Sequence, residues 1–288
     1  MINKGHHRLF LIAVAVALVV TVGIAVWTNR SRLGRIWQRV ADPESIQPMA
    51  VDVSRSEFPV KGIDVSHHNG DIDFRRVAAD SVEFVMIKAT EGVNHIDSCM
   101  ARNYDRATEA GLKVGFYHFF RFDRGGVKQG RHFLAATSGR AVDLPLVIDV
   151  EISGNPDVDY YRVIGRLKDM IGYLRRHDRR VMIYCNSQTY DRYIRHNFDD
   201  TELWLASEST PKDKGDSREL WQHSHAGHVR GIPTPVDINT FNGNREQFAQ
   251  WLNSFPRSAP AKRPVASSDS ASLADSTANI LPDSLSTQ

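Results

Sequence analysis

Leu144–Ile152 reads LPLVIDVEI. Four of its first five residues are aliphatic, an apolar run suited to a strand buried on both faces, as in a parallel sheet. Yet Asp149 and Glu151 follow, one residue apart. Burying an isolated carboxylate is costly, so a core strand that ends in two acids implies a strand running out into a cleft. Residues two apart on a strand share one face, with Cα atoms about 6–7 Å apart. Val150, between them, is expected to point the other way, into packing.

Runs of the same kind recur on both sides of this stretch: VKGIDVS (60–66), EFVMIKA (83–89), KVGFYHFF (113–120), RVMIYCN (180–186), ELWLAS (202–207), ELWQHS (219–224) and PVDINTF (235–241). Helical patterns separate several of them, over 100–112, 127–138, 160–177 and 187–196. Strands alternating with helices predict an α/β fold with a parallel sheet and right-handed crossovers. Eight strands in about 200 residues suit an incomplete (β/α) barrel of TIM type. The last three strands lie too close together for full-length crossover helices, so regular βα units are expected only in the first half.

In such barrels the reactive groups stand at the C-terminal ends of the strands. The acids at those ends are Asp64, Glu91, Asp149, Glu151 and Asp237. A lone Asp at a strand end is ordinarily a turn or cap residue. Several acids on one rim, two of them sharing a strand face, are another matter. Carboxyl groups converging on one cleft push their pKa values apart, so one can hold a proton while another is ionised. Glycoside hydrolysis needs that division of labour, although the expected spacing falls between the ranges for retaining and inverting pairs.

The rest of the chain sets the context. Of its 288 residues 41% are hydrophobic, enough for a full core, and the net charge is +2. Six Lys/Arg and no acids fall in residues 1–40, leaving 30 basic against 34 acidic residues elsewhere. A mildly acidic body carries no electrostatic footprint for nucleic acid. Residues 9–27, LFLIAVAVALVVTVGIAVW, are uncharged and long enough to cross a bilayer. They follow a short basic head and lack a small-residue cleavage site, so an uncleaved signal-anchor is expected over residues 1–30, with a cleaved secretory signal as the alternative. A basic juxtamembrane linker follows over 31–57, with Leu33, Ile36, Trp37 and Val40 at helical spacing. Counted alone, its arginines would hold the body in the cytoplasm. Residues 256–288 are rich in Ser, Ala, Pro and Asp, have no aromatic side chain, and are expected to be a disordered tail. The folded domain is then 58–255. Cys99 and Cys185 sit in no metal-like spacing.

Taken together, the blocks GIDVSHHNGDIDF (62–74), FVMIKATEG (84–92), AGLKVGFYHFF (110–120), PLVIDVE (145–151), VMIYCNSQTY (181–190), LWLAS (203–207) and LWQHSHAGHVRGIPTPVDINTFNG (220–243) resemble glycoside hydrolase family 25, in that family's order. The resemblance implies an incomplete β/α barrel that cleaves the β-1,4 bond between N-acetylmuramic acid and N-acetylglucosamine in peptidoglycan. It implies no metal or other cofactor, and a monomer acting on glycan strands. Glu151 matches the family's proton donor, and Asp149 the carboxylate that stabilises the charged intermediate or orients the N-acetyl group. Asp64 and Asp237 match two further acids of the site. Tyr117, Tyr184 and Trp221 match aromatic positions of the groove, where sugar C–H faces would stack; core packing is the alternative for each. Glu91, just past its strand, is a candidate substrate contact.

His67, His68, His223, His225 and His228 cluster in sequence around two of these blocks and would suit a metallohydrolase instead. The family varies at the last three positions. A peptidoglycan-binding module without turnover is the other rival, against which stands the full set of acids. Because peptidoglycan lies outside the cytoplasmic membrane, the substrate outweighs the arginine count. The expected location is a single-pass cytoplasmic membrane protein with its catalytic domain facing outward.

Overall fold

The computed structural model describes residues 49–51, 53–211 and 218–254. The expected membrane segment 9–27, most of the basic linker and the tail 256–288 lie outside them. Among the described residues no helix is long and apolar enough to cross a membrane.

Nine strands form one sheet: β1 (Lys61–Val65), β2 (Val82–Glu91), β3 (His95–Ile96), β4 (Lys113–Phe119), β5 (Leu146–Asp149), β6 (Val181–Asn186), β7 (Glu202–Ala206), β8 (Leu220–Gly227) and β9 (Val236–Phe241). Eight of them make a ring in the order β1-β2-β4-β5-β6-β7-β8-β9, and β9 pairs with β1 to close it. β3 is a two-residue antiparallel appendage on β2. The α-helices among the described residues are α1 (Phe74–Ala79), α2 (Met100–Glu109), α3 (Gly126–Thr137), α4 (Tyr160–Arg175), the single turn α5 (Ser187–Thr189) and α6 (Arg245–Asn253).

The expected incompleteness belongs to the helices and not to the strands. β1 through β8 pair in parallel around the ring, but β9 runs antiparallel to both β8 and β1. No helix stands in the short connection between β8 and β9. A parallel return needs a crossover of a dozen residues or more, so a short connection turns the chain straight back. Chain ahead of residue 58 covers part of this helix-poor side. Ala50 bridges to Ser224, the Val51 amide donates to the His223 carbonyl at 2.9 Å, and Phe58 meets Trp221 edge-on at 5.5 Å.

Alternation along the strands separates two apolar regions. Outward residues such as Ile63, Val85, Ile87, Ile148, Val150, Ile183 and Leu205 are buried in one cluster with the inner faces of the helices. α4 supplies Val163, Ile164, Leu167, Met170, Ile171 and Leu174, the spacing of a single helical stripe. α3 lies so close to α4 that a Cβ on Gly126 would fall 1.8 Å from the Arg166 carbonyl oxygen. Inside the ring, Phe84, Met86, Val147, Met182, Leu220 and Phe241 are buried. Gly62 leaves space for them, because a Cβ there would sit 2.1 Å from the Phe84 ring. α6 shuts the lower end through Phe248, whose ring lies 5.7 Å from Phe84 and 5.2 Å from Phe241. The barrel interior therefore has an apolar floor, above which the carboxyl groups Asp64, Asp149, Glu151 and Asp237 gather at the upper end.

Candidate active site

β5 delivers the acid pair. Its four residues are all buried, and it is held on both sides by parallel ladders to β4 and β6. Past its end the backbone stays fixed: the Phe120 amide donates to the Asp149 carbonyl and the Val150 amide to the Tyr184 carbonyl, each at 2.9 Å. Val150 points outward and is fully buried. The next turn is pinned by Asn155, whose Nδ2 donates to the carbonyls of Glu151 and Phe120 while its Oδ1 accepts from the Phe122 amide. Glu151 thus stands on a braced turn.

Asp149 and Glu151 face a cleft of about 140 Å³ lined also by Asp64, Tyr117, Tyr184, Trp204 and Asp237. Asp64 arrives from the upper end of β1. Asp237 is not at the C-terminal end of its strand, as the reading by strand ends had it, but is the second residue of β9. It reaches the same rim because β9 is reversed, and it is paired in register with Asp64.

The network beneath these acids is tightly specified. Asp64 Oδ2 accepts from Gln222 Nε2 at 2.9 Å and from Asn239 Nδ2 at 2.8 Å. Gln222 Oε1 in turn accepts from the Tyr184 hydroxyl at 2.7 Å, and Asn239 Oδ1 from Trp204 Nε1 at 2.9 Å. Both aromatic side chains therefore line the cleft and orient an amide that holds a carboxyl. Behind the cleft lining Lys88 donates to Glu91 Oε2 at 3.1 Å, with its ammonium 5.2 Å from the centre of the Phe119 ring.

Desolvation dominates the electrostatics. Burial, reinforced by the neighbouring charge of Glu151, pushes Asp149 well above the usual carboxylate range; Lys88 opposes this. Asp64 is raised well above it by burial and by Asp237. Burial also raises Glu151, while His225 and Lys88 pull it down. Tyr117 and Tyr184 are raised by burial first and stay neutral hydroxyls. One Asp149 oxygen, Oδ1, is buried without a hydrogen-bond partner. An unpartnered acceptor at the end of a braced strand is free to engage a substrate.

Two of the expected groove residues stand elsewhere. Trp221 is 1% exposed, donates from Nε1 to the Ser207 carbonyl at 2.8 Å and packs on Phe58 and His223. Its neighbour Gln222 faces the barrel interior, and strand alternation sends Trp221 to the outer side. Trp204, which was not among the expected residues, lines the cleft. Its signal was an adjacent inward site on β7, which a continuous apolar run conceals. Glu91 is at the rim but does not line the cleft; Lys88 and Arg121, the latter at 3.6 Å, engage it. Gln222, Asn239, Lys88 and Trp204 went unnoticed because their roles depend on pairings across strands distant in sequence.

The Trp221 placement has a measurable consequence. Trp221→Ala is expected to lower stability by roughly 3–5 kcal/mol, the range for truncating a buried Trp, while leaving KM unchanged in the folded fraction. A raised KM with unaltered melting would return Trp221 to the groove.

The histidines do not gather. His67 Nδ1 is 2.7 Å from the buried Asp97, His223 Nδ1 is 3.2 Å from the Val51 carbonyl, and His225 Nδ1 is 3.1 Å from Asp237. Among the described residues no three His, Cys, Asp or Glu side chains form a cluster able to hold a metal ion. Cys185 is buried, Cys99 partly so, and no disulfide joins them.

Glycoside hydrolysis needs one carboxyl group that keeps its proton beside another that can ionise, and the desolvated acids at the upper mouth of this barrel suit that chemistry. Comparison with known proteins narrows the class. The profile of glycosyl hydrolases family 25 matches residues 63–232, and the chain belongs to that family. A family 25 glycosyl hydrolase from Bacillus anthracis superposes with a TM-score of 0.64 at 31% identity, over 72% of this chain and 98% of that one. The autolytic lysozyme of Clostridium acetobutylicum is 33% identical over 184 residues, 64% of this chain but only 56% of that protein's length. Lysozyme M1 of Streptomyces globisporus is 30% identical over 217 residues, 67% of this chain and 71% of its own.

Proposed function

We propose that the chain is a muramidase that hydrolyses the β-1,4 bond between N-acetylmuramic acid and N-acetylglucosamine in peptidoglycan. The observation that carries this reading is the pair Asp149 and Glu151 in one cleft, both raised by burial, one with an unpartnered oxygen. Relatives named lysozyme support it.

In this reading Glu151 gives its proton to the glycosidic oxygen as the C1–O bond breaks. A water molecule supplies hydroxyl to C1, and its proton returns to a carboxylate. Asp149 faces the sugar, where it steadies the positive charge developing at C1 or orients the 2-acetamido group through Oδ1. Asp64 and Asp237 complete the acidic wall, and Tyr117, Tyr184 and Trp204 offer aromatic and hydroxyl surface to the rings. The chain works without a metal or other cofactor and as a monomer on glycan strands.

Digestion of purified peptidoglycan, with mass spectrometry of the new reducing ends, tests the bond specificity. Muramic acid at the reducing end is the expected product; glucosamine there would make the enzyme a glucosaminidase.

The site of action follows from the substrate. A chain held in the cytoplasmic membrane by residues 9–27, its barrel facing outward, would meet peptidoglycan directly; secretion after cleavage would do so too. Protease protection in spheroplasts distinguishes an outward barrel from a cytoplasmic one. A cytoplasmic barrel would sink the cell-wall reading along with the location.

A further inference from the structure

His225 has no part in the reaction as written above, yet it is tied to the site. It lies near the upper end of β8, and its Nδ1 is 3.1 Å from Asp237 Oδ1. Its side chain is 40% exposed, so no packing demand explains a histidine there. Through Asp237 it reaches Asp64, the in-register partner of Asp237 on β1, and from Asp64 the hydrogen-bond network passes to Gln222 and Asn239, then to Tyr184 and Trp204.

We propose that His225 is a positioning residue: its imidazole fixes Asp237 and, when protonated, sets a positive charge on the Glu151 side of the cleft. The proposal builds on the muramidase reading, with Glu151 as proton donor. The groups facing His225 are Asp237 from β9 and Glu151 from the turn after β5. Glu151 also faces Asp237 and, from β2, Lys88; behind it Asp149 faces Lys88, Asp64 and Glu91.

The sign can be worked out from these neighbours. The hydrogen bond and the charge of Asp237 hold the proton on His225, raising it above the usual imidazole value. A protonated His225 loosens the proton on Glu151. Its presence therefore confines proton donation to lower pH than the other groups around Glu151 would set, and its removal extends donation upward. The enzyme is tuned by a side chain that does not touch the substrate bond.

Three variants test this, read by pH–rate profiles, Tm and NMR titration. His225→Asn keeps a hydrogen-bond donor for Asp237 but carries no charge; His225→Ala removes both; Asp237→Asn removes the partner. In H225N the alkaline limb of kcat/KM is expected to move up by on the order of half a pH unit, with Tm unchanged. H225A should show the same shift together with a several-fold fall in kcat. A fall in kcat with an unmoved limb in both would overturn the proposal, since a merely structural hydrogen bond gives that result. So would wild-type behaviour of both variants. NMR titration of His225 Cε1–H, which needs no substrate, should give a lower midpoint in D237N than in wild type; an equal midpoint would also overturn it. Because the NMR readout is independent of turnover, inactivity of the wild-type protein on peptidoglycan would count against the muramidase reading alone.

Discussion

Glu151→Gln is expected to lower kcat on peptidoglycan by about 10²–10⁴-fold, the usual range for loss of a general acid. KM should stay close to wild type, and thermal stability should not fall. The amide is isosteric, and the turn that carries it is held by Asn155 through main-chain contacts that the substitution does not touch. What disappears is a proton that can be given away. Burial raises Glu151 above its ordinary value, so it keeps that proton at pH values where an exposed glutamate has lost it. Wild-type activity should accordingly fall on the alkaline side as Glu151 ionises, and the residual activity of E151Q should lack that limb. Turnover within tenfold of wild type would remove Glu151 from the donor's role.

Asp149→Asn should move activity and stability in opposite directions. In the mechanism proposed above Asp149 acts in its ionised form, and electrostatic groups of that kind are worth roughly 10²–10³ in kcat at pH values where the carboxylate is populated. For stability the sign is fixed by the direction of the shift. Asp149 binds its proton more tightly in the folded protein than in the unfolded chain, where the value is about 3.9. Below that value both states are protonated and the group costs nothing. As pH rises toward the folded value, the unfolded state alone gains by ionising, so wild-type stability falls. The neutral variant escapes this loss. D149N is expected to melt close to wild type near pH 3.5 and above it at pH 7–8, each kcal/mol appearing as about 2–4 °C in a domain of this size. Melting curves at the two pH values test it; a variant less stable than wild type at pH 8 would show that Asp149 is not held against its charge. Buried acids at active sites commonly exchange stability for function in this way.

The fold was largely legible in the chain because a parallel barrel strand announces itself. LPLVIDVEI, EFVMIKA and RVMIYCN are apolar on both faces, as strands between a barrel interior and a helical layer must be, and the helical stripes between them are regular. Legibility failed where the pattern does not encode direction. PVDINTF reads as a strand in either sense, so the reversal of β9 had to come from the short connection before it. It failed again at ELWQHS, where Trp221 and Gln222 are neighbours and only the register of β8 against β7 and β9 decides which one enters the barrel.

Local chemistry thus determined that Asp149 and Glu151 share a face, that Val150 turns away, and that Asp64 belongs to the same rim. Strand geometry has a period of two, and that much survives in any fold that keeps the strand. Only the closed ring decided the rest. It brought Asp237 opposite Asp64 from the far end of the domain and put Trp204 in the cleft where Trp221 had been expected. It set His225 against Asp237 and desolvated the acids together. Those are contacts between segments that sequence separates, and burial, the main cause of the raised values of Asp64, Asp149 and Glu151, is a property of the packed barrel.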